Sequence, residues 1–351
     1  MERDSAVDSR ARDGDGDGAA RYVSTGELPR DPTLGEVVEE AYQLFRPDRS
    51  GSVSTVYPAL SYVDPDRFGV CVAGVDGSLR EAGDSRWPFP IMSVAKPFVF
   101  ALVCQELGVD RVRGLVGVNA TGLAFDSVVA IERDPEGRTN PMVNAGAIAT
   151  TSLVPGASAE TRWRFVADGL SRFAGRGLPL TEDVLASALA TNHRNRALAA
   201  LLRSRGALAG DATAAVDLYT RQSCLATTAV DLAVMAATLA DGGLNPLTGD
   251  RVVTPDVARV TLAVMAVAGL YESSGDWLVD VGVPGKSGIG GGIATVSPGK
   301  GGLGTWSPRL DAAGNSVRGQ RVAGFLARRL GLDLLASTPA ARPERDPGAS
   351  R

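Results

Sequence analysis

The chain has 351 residues, 44% of them hydrophobic and 22% charged, the balance of a folded globular protein and far from collagenous, disulfide-stapled or low-hydrophobicity disordered classes. Thirty-six basic against 40 acidic residues leave a net charge of −4, so no overall field draws in nucleic acid or an anionic membrane. No run of about 18 apolar residues occurs and the N-terminus lacks an apolar signal core, which leads us to expect a cytoplasmic protein with no membrane partner.

Residues 1–30 hold Asp, Gly, Arg and Ser with hardly a large apolar side chain, and 337–351 have the same character. Both are expected to be disordered tails around one folded domain over 31–336, since such compositions cannot offset the entropy of ordering. Asp13, Asp15, Asp17 and Gly18 match the opening of a calcium loop, but the twelfth position is Ser24 instead of Glu and no amphipathic helix precedes it, so no calcium site is expected. The apolar run 68–75, with Asp76-Gly77 behind it, predicts a strand entering a hairpin. An extended segment, Trp87-Pro88-Phe89-Pro90, then leads into an apolar helix over 97–107.

The middle of the chain has a different period. Residues 161–205 and 215–241 carry Leu, Ala, Val and Met at three- and four-residue spacing, with Gly206 and Gly242 as stops, which predicts amphipathic helices. The arginines of 194–205 alternate with Ala and Leu and read as a solvated helix face. Strands return at 292–297 and 302–307. Strands from both chain ends are expected to pair into one antiparallel sheet, with a helical subdomain at roughly 110–240 inserted between them, an α+β three-layer fold.

Residue inventory narrows the chemistry. Cys71, Cys104 and Cys224 are widely spaced and odd in number, which suits buried thiols better than a disulfide framework or a metal site. The single histidine, His193, lies in Thr-Asn-His-Arg-Asn and reads as a surface or capping residue, so a Ser-His-Asp triad and most zinc sites are excluded. Without imidazole a serine nucleophile needs another base, and a lysine whose pKa is lowered by burial can supply it. Ser93-Val94-Ala95-Lys96 offers that pair where the extended segment meets the apolar helix. At a spacing of three the two side chains share a helix face, and the helix N-terminus favours developing negative charge.

A second element, Lys286-Ser287-Gly288, follows about 190 residues later and precedes Ile289-Gly290-Gly291-Gly292. In serine β-lactamases and penicillin-binding proteins an S-x-x-K and a later K-[TS]-G strand flank one active site. A Walker A loop is excluded, because Gly282-Val283-Pro284-Gly285-Lys286-Ser287 has two residues between its glycines where that loop needs four.

A third segment, Asn140-Pro141-Met142-Val143-Asn144-Ala145-Gly146-Ala147-Ile148, resembles the N-P-x-x-N-A-G-A-I signature of the glutaminase family. Phe68-Gly69-Val70, Ala236–Gly243, Lys286-Ser287-Gly288, Trp306-Ser307-Pro308 and Gly314-Asn315-Ser316 resemble glutaminase segments in the same order, over roughly residues 35–335. The resemblance implies the serine β-lactamase-like fold and hydrolysis of L-glutamine to L-glutamate and ammonia with no metal or organic cofactor. It assigns Ser93 as nucleophile, Lys96 as base, Asn144, Asn195, Tyr219 and Tyr271 to substrate binding or proton transfer, and the Ile289 backbone amide to the oxyanion hole. It also implies a small-molecule amide substrate and a homodimer or homotetramer.

Three of the departures from the family pattern fall on substrate recognition. The residue before the nucleophile, usually Gln, is Met92. The family's S-E-x-x-x-x-x-R-N, whose Glu meets the substrate α-ammonium, reads Ser187-Ala188 through Arg194-Asn195. The tyrosine of its Y-I-P-x-L is replaced by Val56, with Tyr57 one position late, and its E/D-P-S-G reads Asn119-Ala120-Thr121-Gly122. Losing a buried carboxylate partner for an ammonium costs about 3–5 kcal/mol. A diverged substrate, an amide without a free α-ammonium, is therefore the alternative expectation, and a non-catalytic binding protein on the same fold is a further one.

Overall fold

A computed structural model describes residues 27–30 and 33–337. The calcium-like run and nearly all of both expected tails lie outside the described residues. In chain order the elements are α1 (Thr33–Phe45), β1 (Gly69–Gly74), β2 (Leu79–Gly83), β3 (Phe89–Pro90), α2 (Ala95–Leu107), α3 (Val109–Val116), α4 (Val129–Glu132) and α5 (Asn144–Ser152). There follow α6 (Ala159–Ala174), α7 (Glu182–Thr191), α8 (His193–Ser204), α9 (Ala212–Ser223), β4 (Ala226–Thr227), α10 (Ala229–Ala240) and α11 (Pro255–Ala268). The chain closes with α12 (Ser274–Asp280), β5 (Gly285–Ser287), β6 (Gly292–Ser297), β7 (Gly301–Trp306) and α13 (Val317–Arg329).

Strands from the two ends pair as expected, in the antiparallel order β2-β1-β7-β6-β5. Side-chain alternation along β1 divides the core. Val70 and Val72 point toward Leu34, Val37, Val38 and Ala41 of α1 and Val322 and Leu326 of α13. Cys71 and Ala73 point the other way, onto Ala233, Val234 and Ala237 of α10. Burying each such Val or Leu contributes about 1.5–3 kcal/mol. The sheet is thus covered on both faces, which is why β1, β6 and β7 are buried along their whole lengths.

Glycine decides how closely α10 lies on the sheet. A Cβ on Gly304 would overlap the carbonyl of Ala229, and one on Gly302 that of Ala233. The small residues of β7 and the alanines of α10 therefore let two backbones touch. The N-terminus of α10 is closed by a capping box between Thr228 and Asp231, and Asp231 also takes a two-pronged contact from Arg176, with Nε–Oδ1 at 2.7 Å.

Two regions differ from the pattern read off the sequence. The run 161–205 is three helices, because Gly175 adopts a left-handed C-cap at the end of α6 and Asn192 interrupts the chain between α7 and α8. The run 215–241 is likewise divided by β4, which pairs with β3 through Phe89↔Thr227 and Pro90↔Ala226. Hydrophobic spacing carries through such breaks because the helices on either side each keep an apolar face, whichever cluster it joins. The apolar helix after the S-x-x-K begins at Ala95, two residues before the predicted start.

Candidate active site

Ser93 sits in a single 3-10 turn, Met92–Val94, that runs directly into α2. Met92 holds φ at +48° and Tyr271 at +59°, the two non-glycine residues of the described chain in the left-handed region. Such backbone strain costs about 1–3 kcal/mol per residue and persists where surrounding structure over-determines it. Both strained residues flank the proposed nucleophile. The hydroxyls of Tyr219, from α9, and Tyr271, at the start of a short turn before α12, lie beside Ser93, and Tyr271 donates to the Ser287 carbonyl at 3.3 Å.

Lys96 projects from the first turn of α2 into a buried polar cluster. Its Nζ donates to Asn144 Oδ1 at 2.7 Å and to the Met142 carbonyl at 3.3 Å. Tyr219 donates to the same Asn144 oxygen at 3.0 Å, so one carboxamide joins the lysine to a hydroxyl that touches Ser93. Ser93, in the 3-10 turn, and Lys96, in α2, are thus connected through the cluster of Asn144 and Tyr219. Burial lowers the Lys96 pKa to about 7, against an opposing pull from the Asp126 carboxylate. Burial also raises the tyrosines, Tyr271 to about 12 and Tyr219 well above its usual range. At neutral pH the site therefore holds a substantially uncharged amine among neutral phenols.

Lys286 lies on β5, fully buried. Its Nζ donates to the Ser287 carbonyl at 2.6 Å and sits 4.0 Å from the Tyr271 ring centre. Burial first, and the nearby Lys96 second, hold its pKa well below that of a free lysine. Beyond Ser287 the chain makes the turn that carries Ile289. Gly288 N–H bonds the Gly292 carbonyl and Gly291 N–H the Gly288 carbonyl, and neither bond uses the Ile289 amide. Trp306 of β7 pins this turn by donating to the Gly290 carbonyl at 2.9 Å. Any Cβ on Gly288 would approach the Ser93 amide nitrogen to 3.1 Å, so the turn that carries Ile289 and the Ser93 backbone lie side by side.

The remaining predicted residues meet at the same place. Asn195 of α8 accepts from Asn144 Nδ2 at 2.9 Å. Tyr57, one position late in the sequence pattern, still arrives: its hydroxyl lies beside Asn195, and withdrawal from water pushes its pKa up to about 12, although the residue as a whole stays partly exposed. Met92 and Ala188 are buried in one apolar cluster with Leu60, Val184 and Cys224, against which Tyr57 and Ile289 pack. His193 is exposed at the start of α8, and the three cysteines are buried free thiols.

Sequence reasoning missed Asn192 and Thr220. Asn192 stands three residues before Asn195 at a helix break, the one local signal that pointed to it. A groove of about 840 Å³ between the end of α2, α3 and α11 contains none of the residues expected at the site. Among the described residues no helix is long and apolar enough to cross a membrane.

Comparison with known proteins agrees with this geometry. The sequence profile described as Glutaminase matches residues 51–335. The chain is 59% identical over 327 residues to Glutaminase 2 of Yersinia pestis, covering 93% of this chain and 96% of that protein. The solved structure of the probable glutaminase ybaS is 41% identical with a TM-score of 0.86, covering 88% of this chain and 100% of that one. Mglu in its glutamate form is 36% identical with a TM-score of 0.82, covering 89% of this chain and 72% of that one. The three-layer architecture is accordingly the serine β-lactamase-like fold. With a matching profile over most of its length and a 59% identical relative covered nearly end to end, the chain belongs to the glutaminase family, amidohydrolases that cleave the amide C–N bond of glutamine.

Proposed function

We propose that the chain hydrolyses L-glutamine to L-glutamate and ammonia through an acyl-enzyme on Ser93, with Lys96 as base. The observation that carries this reading is the buried lysine amine, whose pKa is lowered to about 7 so that a large share is uncharged near neutral pH, tied through Asn144 to the hydroxyl of Tyr219 beside Ser93. Ser93 Oγ attacks the carboxamide carbon while its proton passes to the amine of Lys96. The oxyanion that forms is met by the backbone amides of Ser93 and Ile289. Collapse breaks the C–N bond, the departing nitrogen takes the proton from the Lys96–Tyr271 cluster, and ammonia leaves an ester on Ser93. Water then attacks that ester with the same base, releasing the acid and restoring the Ser93 hydroxyl. Neutral tyrosines suit this traffic because each can accept from one partner while donating to another. That a relative was solved in its glutamate form supports a product-sized site in this fold.

The test is Ser93→Ala. Turnover should fall by about 10⁴ or more with the fold intact, since the variant lacks the covalent nucleophile. Intact mass of wild type mixed with an activated amide should rise by one acyl group, and the variant's should not. Residual activity within tenfold of wild type, or acylation at another residue, would refute the assignment.

A second reading of the substrate has its own support. The wall beside Ser93 formed by Leu60, Met92, Val184, Ala188 and Cys224 is apolar, and the buried carboxylate among the described residues, Asp231, is engaged by Arg176 away from the site. An α-ammonium would find no buried counter-charge there, which favours amides whose α-nitrogen is uncharged. Comparing glutamine with N-acetylglutamine under identical conditions decides between the two. Assembly as a homodimer or homotetramer in the cytoplasm is the companion expectation from the family resemblance, tested by light scattering and cell fractionation.

A further inference from the structure

A line of buried amides runs away from Lys96, and all its members point the same way. Asn144 Oδ1 accepts from Lys96, and Asn144 Nδ2 donates to Asn195 Oδ1 at 2.9 Å. Asn195 Nδ2 donates to Asn192 Oδ1 at 2.5 Å, and Asn192 Nδ2 donates to Thr220 Oγ1 at 2.5 Å. Thr220 gives its own proton to the Val216 carbonyl at 2.7 Å, one turn back in α9. Asn144, Asn192, Asn195 and Thr220 are all buried.

Direction matters here because a carboxamide is a donor on one side and an acceptor on the other. With its hydrogen committed to Val216, Thr220 offers only lone pairs, and every amide behind it is forced into one orientation. Asn144 must then present oxygen to Lys96. An uncharged amine has two N–H groups and one lone pair. The Asn144 and Met142 oxygens occupy both N–H groups. The third direction is left for the lone pair, on an amine flanked by the rings of Tyr219 and Tyr271, whose hydroxyls lie beside Ser93.

We propose that Asn192 and Thr220 are positioning residues: they lock the amide relay so that the lone pair of Lys96 is aimed at the Ser93 cluster. Were the relay reversed, Asn144 would turn its NH2 to Lys96, occupying the lone pair and withdrawing the oxygen that favours the protonated amine. This inference rests on Lys96 as the base of the Ser93 reaction.

Thr220→Val removes the acceptor while keeping the shape, and Thr220→Ser keeps the acceptor. Displaced catalytic groups cost up to about 100-fold in rate, so Thr220→Val should lower kcat roughly 10- to 100-fold with KM within about threefold, and Thr220→Ser should stay within about threefold of wild type. A hydrogen bond made to the neutral amine disfavours protonation, so the acid limb of the pH–rate profile should move to lower pH in Thr220→Val. In Asn192→Asp a new negative charge should move it to higher pH, by about half a unit or more.

The charged and titratable groups facing Lys96 are Lys286 from β5, Tyr219 from α9, Tyr271 before α12, and Asp126 ahead of α4, with Tyr57 beside Tyr219. The two variants leave all of these in place, so opposite shifts report on the relay. Folded Thr220→Val with wild-type kcat and an unmoved limb would overturn the proposal. Should circular dichroism show Thr220→Val unfolded, Asn192→Asp decides alone, and an unmoved limb there overturns it. Lys96→Ala is the control. Normal turnover in that variant would defeat the Ser93–Lys96 reading and the relay together, whereas a dead Lys96→Ala with unaffected relay variants would defeat the relay alone.

Discussion

Residue chemistry sets two measurable pH dependences. The Lys96 amine must be uncharged to take a proton, and its pKa is lowered to about 7. The kcat/KM of the enzyme should therefore fall about tenfold per pH unit below roughly 7, read from a profile in non-nucleophilic buffers; a limb below pH 5 would exclude Lys96. Stability follows the opposite logic of linkage. Between about 7 and the ordinary lysine value of 10.5 the unfolded chain binds a proton that the folded chain does not, so stability rises with pH across that window. Lys96→Met should thus be more stable than wild type at pH 7, with the advantage shrinking toward pH 10, as measured by urea midpoints at both pH values. The apolar wall makes a further residue-scale prediction. Ala188→Glu with Met92→Gln should lower KM for L-glutamine with kcat little changed, because an ammonium contact is made in ground and transition states alike. Ordinary glutamine KM in wild type, unimproved by the pair, would mean another group supplies the charge.

At the scale of elements, glycine positions separate into those that permit contact and those that waste helix propensity. Gly304 lets α10 touch β7, so Gly304→Val should cost about 3 kcal/mol or more by forcing the two backbones apart. Gly114, inside α3, has nothing within 4 Å of where a methyl group would stand, and Gly114→Ala should stabilise by about 0.5–1 kcal/mol. Urea denaturation of the two variants checks both signs. The same contrast explains what the sequence made legible. Sheet strands and the S-x-x-K helix were readable because their apolar runs and motifs are local. The breaks at Gly175 and Asn192 were not, because α6, α7 and α8 each carry apolar residues at helical spacing and hydrophobic period does not register a change of axis. Thr220 and Asn192 were hidden for a related reason: a threonine inside a helix and an asparagine at its end carry no chemistry until the fold brings them together. Tyr57 was placed in doubt by a one-residue offset, although its hydroxyl reaches the neighbourhood of Asn195.

For the whole molecule, the decisive feature is that the site belongs to neither half alone. Lys286 and the Ile289 turn come from the sheet, Asn144, Asn195 and Tyr219 from the helical part, and Ser93 and Lys96 stand at the head of α2 between them. A substrate held by groups from both can bind only when both are folded, so its binding free energy stabilises the two together. At a concentration near 100 times Kd that amounts to about 2.7 kcal/mol, or a rise in Tm of about 4 °C for a chain of this size. Ser93→Ala is the protein to use, because it retains the pocket without consuming the ligand. Calorimetry with saturating L-glutamine should show one transition moving upward as a unit. Two transitions of which only one responds would mean that the ligand is held by a single half, and the shared oxyanion and amide contacts described above would then be wrongly placed.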